Sequence, residues 1–173
     1  MNILGIDPGL RKTGWGIIHR NGSALKFIAS GLIKPDPAAP LPYRLAELHE
    51  GIADIIKQYA PDEAAIEETF VNKSPADALK LGQARGVLLA VPALYGLPTA
   101  EYSANKVKKS VVGSGHAAKQ QIGMMVKTLL PACGTITEDE ADALAVAITH
   151  AHYRKVTSCI IPCNRQLATG NEP

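Results

Sequence analysis

The chain has 173 residues, three cysteines and a formal net charge of +2. Its length is enough to bury a core without disulfides or a structural metal, and abundant Ala, Leu, Ile and Val with few aromatics suit helices packed on a sheet better than an all-β sandwich. A net charge this small predicts no nucleic-acid partner by itself, so any basic surface must be argued from where the lysines cluster.

Residues 3–6 read as a buried strand that ends at Asp7, before the Pro8-Gly9 turn. A second strand, 15–19, joins a third, 24–33, at Asn21-Gly22, the sequence signal of a type I′ hairpin. The prolines at 35, 37, 40 and 42 mark a loop, and Leu45, Leu48, Ile52, Ile55, Ile56 and Tyr59 then recur at helical spacing. Pro61 stops that helix, and 64–66 reads as a fourth strand that ends at Glu67. The next helix is predicted from Ser74-Pro75 to about Ala90. Its Gly82 and Gly86 each cost about 1 kcal/mol against alanine, a cost that close helix packing explains.

A fifth strand is predicted at 99–102, followed by helices at 105–112 and 117–130 that Gly113, Ser114 and Gly115 separate. Thr137 and Glu140 form a capping box, which starts the last helix near Glu138 and carries it to about Tyr153. We expect one domain over residues 1–155 and a disordered tail over 156–173. Pro92 and Gly96 interrupt the longest apolar stretch, well short of the roughly 18 residues a membrane span needs, and no basic segment precedes an apolar one at the start. A cytoplasmic protein with no membrane partner and reduced Cys133, Cys159 and Cys163 is expected.

Acids recur at three joints of this pattern: Asp7, Glu67, and the pair Asp139 and Asp142. An Asp-Pro-Gly aspartate often only bonds nearby backbone. Glu138, Asp139 and Glu140 in a first helical turn interact favourably with the macrodipole and need no metal. Asp142 differs, because its helical neighbours Ala145, Val146 and Thr149 turn it toward the packed side, where an unpaired charge is costly. Glu67 and Glu68 point to opposite faces of one strand, so one of them joins a cluster. Hard oxygen ligands favour magnesium or manganese over zinc, and two such ions roughly 3.5 to 4 Å apart can activate water and steady the leaving oxygen of a phosphodiester.

Lys106, Lys108 and Lys109, then Gly113 to Gly115, then Lys119 crowd one stretch. They form either a solvated helix face or, with the helix start near Ala117, an anion site for a phosphate backbone. Phe70 lies near Lys73 in a polar loop, where it either stacks on an unpaired base or packs on the core. His150, His152, Cys159 and Cys163 offer four zinc donors, but their spacing fits no common finger.

With these residues located, the chain resembles the RuvC-type Holliday-junction resolvases, bacterial endonucleases of the ribonuclease H-like superfamily. The resemblance covers about residues 1–153 and rests on 5–9 with Thr13-Gly14, 65–67 with Phe70, 111–113 and 139–145. Its most specific run is Ala78, Leu79, Lys80, Leu81, Gly82, Gln83, Ala84, Arg85 and Gly86. It implies an α/β, ribonuclease H-like fold with a five-stranded mixed sheet, an antiparallel meander then parallel strands, flanked by helices. It implies that Asp7, Glu67, Asp139 and Asp142 coordinate two Mg2+ ions, with Mn2+ able to substitute and Asp7 bridging.

The resemblance further implies that Lys119 and Lys108 hold the scissile strand and that Phe70 stacks near the crossover. Lys106, Lys73 and Arg85 become further DNA contacts. A homodimer is implied, with the helix from Ser74 to Ala90 at its interface, together with a four-way DNA junction as substrate and the RuvA and RuvB branch-migration complex as partner. Two rivals remain: a sugar-kinase or actin-like ATPase fragment, for which the chain is short by one lobe, and a junction binder without catalysis. His116, Glu68 and the tail from Lys155 receive no role.

Overall fold

Alternation along the central strand decides which helices cover which face of the sheet. The computed structural model describes residues 1–68, 74–115 and 118–154, without the side chain of Lys119. Strands β1 (Asn2–Asp7), β2 (Thr13–Asn21) and β3 (Ala24–Ile33) form an antiparallel meander. Helix α1 (Leu41–Tyr59) leads to β4 (Glu63–Glu68), which lies parallel to β1, and α2 (Pro75–Leu94) leads to β5 (Thr99–Ser103), parallel to β4. Helices α3 (Ala104–Val112), α4 (Lys119–Leu129) and α5 (Glu138–Tyr153) follow. The sheet order is β3-β2-β1-β4-β5, the mixed five-stranded α/β arrangement that the resemblance implies.

Leu4 and Ile6 of β1 join Ile17, Ala64 and Ile66 in a core with Leu48 and Ile52 of α1 and Ala84 and Leu88 of α2. Ile3, one residue out of phase, joins Ile18 and Ala65 in a second core with Leu144, Ala147 and Ile148 of α5 and with α3 and α4. The sheet therefore separates two apolar layers. Helix α5 is the most deeply packed element, with every residue from Ala143 to Ala151 buried.

Several elements depart from their sequence signals. Asn21 pairs with Ala24, so the hairpin loop is Gly22-Ser23, and positive φ is confined to Gly22 at +61°. That is the pattern of a II′ turn rather than an Asn-Gly I′ turn. Pro42 lies in the first turn of α1, where its missing N–H costs nothing. Helix α2 continues through Pro92 to Leu94, and Gly96 at φ +75° turns the chain out. Among the described residues the close packing expected at Gly82 and Gly86 is absent: a Cβ at either would meet nothing within 4 Å. The expected tail lies outside the described residues.

Candidate active site

Asp7 is the last residue of β1, and the turn after it is closed by one hydroxyl. Thr13 Oγ1, fully buried, donates to Gly9 O at 2.7 Å and accepts from Gly9 N at 3.3 Å. Alternation puts Asp7 on the same face as Ile3 and Gly5, the face that α5 covers. Strand β4 runs beside β1 in the register Gly5↔Ala65 and Ile6↔Ile66, which makes Glu67 the next neighbour of Asp7 at a strand spacing of about 4.8 Å. Glu67 shares the α5 face with Ala65, and Glu68 takes the other, so the choice between the two acids falls on Glu67.

Helix α5 reaches these strands because three glycines let it. Gly14 lies opposite Asp7 across the β1–β2 ladder, and a Cβ there would stand 2.7 Å from the carbonyl carbon of Asp139 and overlap its oxygen. A Cβ on Gly5 would stand 2.7 Å from Ala147 N, and one on Gly16 would stand 2.6 Å from Leu144 Cδ2. Such separations lie far inside ordinary contact, so the seam Gly5, Gly14 and Gly16 sets how near α5 lies to the sheet. The start of the helix thereby sits at the ends of β1 and β4.

The same start is fixed chemically. Thr137 Oγ1 accepts from Glu140 N at 3.3 Å, while Glu140 Oε2 accepts from Thr137 N at 2.9 Å. Ser30 Oγ of β3 donates to Glu140 Oε1 at 2.9 Å. Burial alone would raise the Glu140 carboxyl, and the bonds from Thr137 and Ser30 outweigh it and hold it below its usual range. Asp139 and Asp142 follow at i and i+3. Asp142 is the one residue from 141 to 150 that is not buried, and it lines a 250 Å³ pocket with Gln120 and Gly123 of α4.

Asp7, Glu67, Asp139 and Asp142 are all half-buried. As the side chains stand, no three His, Cys, Asp or Glu among the described residues form a group able to hold a metal ion. Asp7, Glu67 and Asp142 each engage a hydrogen-bond, ion-pair or electrostatic partner. An all-carboxylate donor set on three converging elements fits a hard divalent cation in chemistry, with side-chain rotation needed to bring the oxygens together.

The residues expected to touch DNA have varied surroundings. Phe70 and Lys73 lie outside the described residues, as does His116. Lys119 opens α4, the helix whose Gln120 shares a pocket with Asp142, and Lys108 is half-buried on α3. Lys106 sits over the rings of Tyr102 and Tyr153, 4.9 and 4.7 Å from their centroids. It is thus near the far end of α5, about 20 Å of helix from Asp139. Arg85 is ion-paired with Glu101 of β5.

The zinc set does not form among the described residues. His150 Nδ1 meets Tyr102 Oη at 2.9 Å and its Nε2 meets Glu63 Oε2 at 2.7 Å, while His152 Nδ1 meets Ser110 Oγ at 3.2 Å. Cys159 and Cys163 lie outside the described residues, and Cys133 is a buried free thiol.

A family model described as "Crossover junction endodeoxyribonuclease RuvC" matches residues 3–150. The chain belongs to the RuvC family. A RuvC protein of Paramagnetospirillum magneticum is 63% identical over 154 residues, covering 89% of this chain and 93% of that one. One from Azorhizobium caulinodans is 57% identical over 89% of this chain and 91% of its own. Among solved structures, Thermus thermophilus RuvC in complex with a Holliday junction substrate superposes with a TM-score of 0.81 at 31% identity, covering 88% of this chain and 94% of that one. The yeast mitochondrial Holliday junction resolvase Ydc2, at 15% identity and a TM-score of 0.64, shares the fold.

Within this RuvC fold, sequence reasoning passed over one group of residues. A cleft of 790 Å³ beside Asp139 is lined by Arg11, Lys12, Arg44 and Lys80 as well as Glu138. Arg11 and Lys12 directly follow the Asp7 turn, and that adjacency was a readable signal. Arg44 was not readable, because its tie to the turn, Nη2 donating to Leu10 O at 2.8 Å, spans 34 positions.

Proposed function

We propose that this chain is a magnesium-dependent, structure-selective endonuclease that resolves four-way DNA junctions in the cytoplasm during recombination and repair. It acts as a homodimer and makes paired symmetric nicks in strands of like polarity. One observation carries the reading. The glycine seam lays the Asp139 backbone against Gly14, the ladder partner of Asp7, and β4 runs beside β1 toward Glu67, which supports one shared acidic site in a chain of the RuvC family.

In this reading Asp7, Glu67, Asp139 and Asp142 hold two Mg2+ ions, with Mn2+ able to replace them. When bound, the ions supply Lewis-acid polarisation of the phosphodiester and acidify the attacking water. The protein's part is to gather negative charge at one point, to hold Asp139 rigidly through the capping box, and to position the strand. Lys119 and Lys108 hold the scissile strand, Lys73 contacts its backbone, and Phe70 stacks near the crossover. Lys106 and Arg85 would have to leave the tyrosine rings and Glu101 to do the same. The RuvA and RuvB branch-migration complex would deliver the junction.

The homodimer has support on α2. Leu79 is 66% and Leu94 63% exposed, and Gly82 and Gly86 lie between them with open space where a Cβ would go. A second copy seated there would use the small residues that this chain leaves uncovered. A two-fold dimer also matches a two-fold junction, giving one acidic cluster to each of two strands.

The test is a synthetic four-way junction incubated with magnesium and either wild type or Asp7→Asn. Wild type should give paired nicks. Asp7→Asn should bind the junction yet cut it more than about 100-fold more slowly, since even residues behind the first ligand shell are worth 10- to 100-fold. Cleavage by the mutant at the wild-type rate would remove Asp7 from the chemistry.

A further inference from the structure

Two clefts meet at the β1–β2 turn, on the opposite flank of the acids from α3 and α4. The first, 790 Å³, runs from Lys80 of α2 past Arg11, Lys12 and Arg44 to Asp139, with Asp77 and Glu138 also on its wall. The second, 470 Å³, continues past the same three cations to Lys34, just beyond the end of β3, with Asp36 on its wall. Arg11, Lys12 and Lys34 are exposed. Among the described residues no carboxylate is ion-paired with them or with Arg44, and Lys34 acts on Glu140 only through space. Arg44 holds the turn through Leu10 O, and its Nε is buried with no hydrogen-bond partner. Four cations from three separate parts of the chain thus line two adjoining clefts that reach Asp139, none of them held in an ion pair among the described residues.

We propose that Arg11, Lys12, Lys34 and Arg44 form a track for the phosphate backbone of a duplex arm, leading into the acidic cluster from the side opposite Lys119. The inference rests on the nuclease reading and deepens it. A polyanion continuous with the scissile phosphate is the ligand that can pair with these cations along the whole groove, whereas a single free phosphate would satisfy only one stretch of it. The row also solves a local difficulty. A phosphate approaching four carboxylates is repelled until cations compensate, and these lie at the entrance to the acids.

The test compares two double variants of equal charge. Arg11→Gln with Lys12→Gln removes two cations from the track at exposed turn positions. Lys26→Gln with Lys57→Gln removes two from the other ends of β3 and α1. Arg44 is left in place because it also holds Leu10. Junction binding is measured against salt, with phosphate-ethylation interference mapping the contacts and thermal melts checking the fold.

Each lost phosphate contact lowers the salt slope by about 0.9, so affinity of the track variant should fall about 12-fold less than wild type between 50 and 200 mM salt. It should also lose interference at phosphates of one arm while retaining it at the cleavage point. The control should keep the wild-type slope. An unchanged slope in the track variant, or an equal change in the control, overturns the track while leaving the nuclease reading intact. Failure of wild type to cut the junction overturns that reading and the track with it.

Discussion

Replacing Gly14 with alanine would put a methyl group where the Asp139 backbone now rests. The new Cβ would stand 2.7 Å from the Asp139 carbonyl carbon, and the obstacle is helix backbone rather than a side chain that can swing away. Restoring ordinary contact requires β2 and the start of α5 to part by about 1 Å, because dispersion wells for heavy atoms lie near 3.5 to 4.0 Å. Overpacking of this kind costs about 1–3 kcal/mol, which for a chain of this size lowers Tm by roughly 3 to 10 °C. A displacement of about 1 Å at reacting groups costs on the order of 10²-fold in rate.

The assay pairs a circular-dichroism melt with single-turnover cleavage of a four-way junction at saturating protein. Gly22→Ala serves as the comparison: φ is +61°, nothing lies within 4 Å of a Cβ, and the turn is at the opposite end of β2 from Gly14. It should lower Tm through backbone strain of about 1–2 kcal/mol and leave cleavage at the wild-type rate. Wild-type cleavage by Gly14→Ala, or an equal loss of cleavage in Gly22→Ala, would refute the claim that the glycine seam positions Asp139.

Two further outcomes follow from the ends of α5. Thr137→Ala removes the hydroxyl that accepts from Glu140 N while the Thr137 N–H to Glu140 Oε2 bond remains, so stability should drop by about 1 kcal/mol in a denaturant titration, and cleavage should slow as the first turn carrying Asp139 frays. At the other end, burial pushes the His150 imidazole below its ordinary value of 6.5 against the opposing pull of Glu63. The neutral ring accepts from Tyr102 Oη and donates to Glu63. Because the folded value is depressed, the contribution is present above pH 6.5 and lost as pH falls through the lower folded value. Tm of wild type should decline across that window, and His150→Gln should flatten the decline; an unchanged slope in the variant would assign it to another group. Glu63, held low by Arg154 and His150 in spite of its burial, should lose its contribution only below 4.5.

What could be read from the sequence was local chemistry. The capping box at Thr137 and Glu140 placed the start of α5 at Glu138, and the Asp-Pro-Gly turn placed Asp7 at a strand end. Strand alternation put Glu67 and Glu68 on opposite faces, and only the packing of α5 tells which face the cluster uses. The contribution of glycine was the least legible part, because its value depends on what arrives from elsewhere. Gly82 and Gly86, four apart on one helix, suggested close packing that the described residues do not make. Gly5, Gly14 and Gly16, scattered over two strands, make the approach that matters. Similarly, the pairing of Arg85 with Glu101 and of Lys106 with Tyr153 joins residues distant in sequence, and a pairing at that range leaves no pattern along the chain.

Acids from three distant joints are proposed to serve one metal site. The most direct measurement is paramagnetic broadening by Mn2+ in the complex with an uncleavable four-way junction, read at the backbone amides of residues 7, 67, 139 and 142. Manganese has the oxygen-ligand preference of magnesium and broadens only nearby nuclei. All four amides should broaden together at low Mn2+ and recover together when excess Mg2+ is added. Broadening at one joint without the others, or centred on another part of the chain, would contradict it.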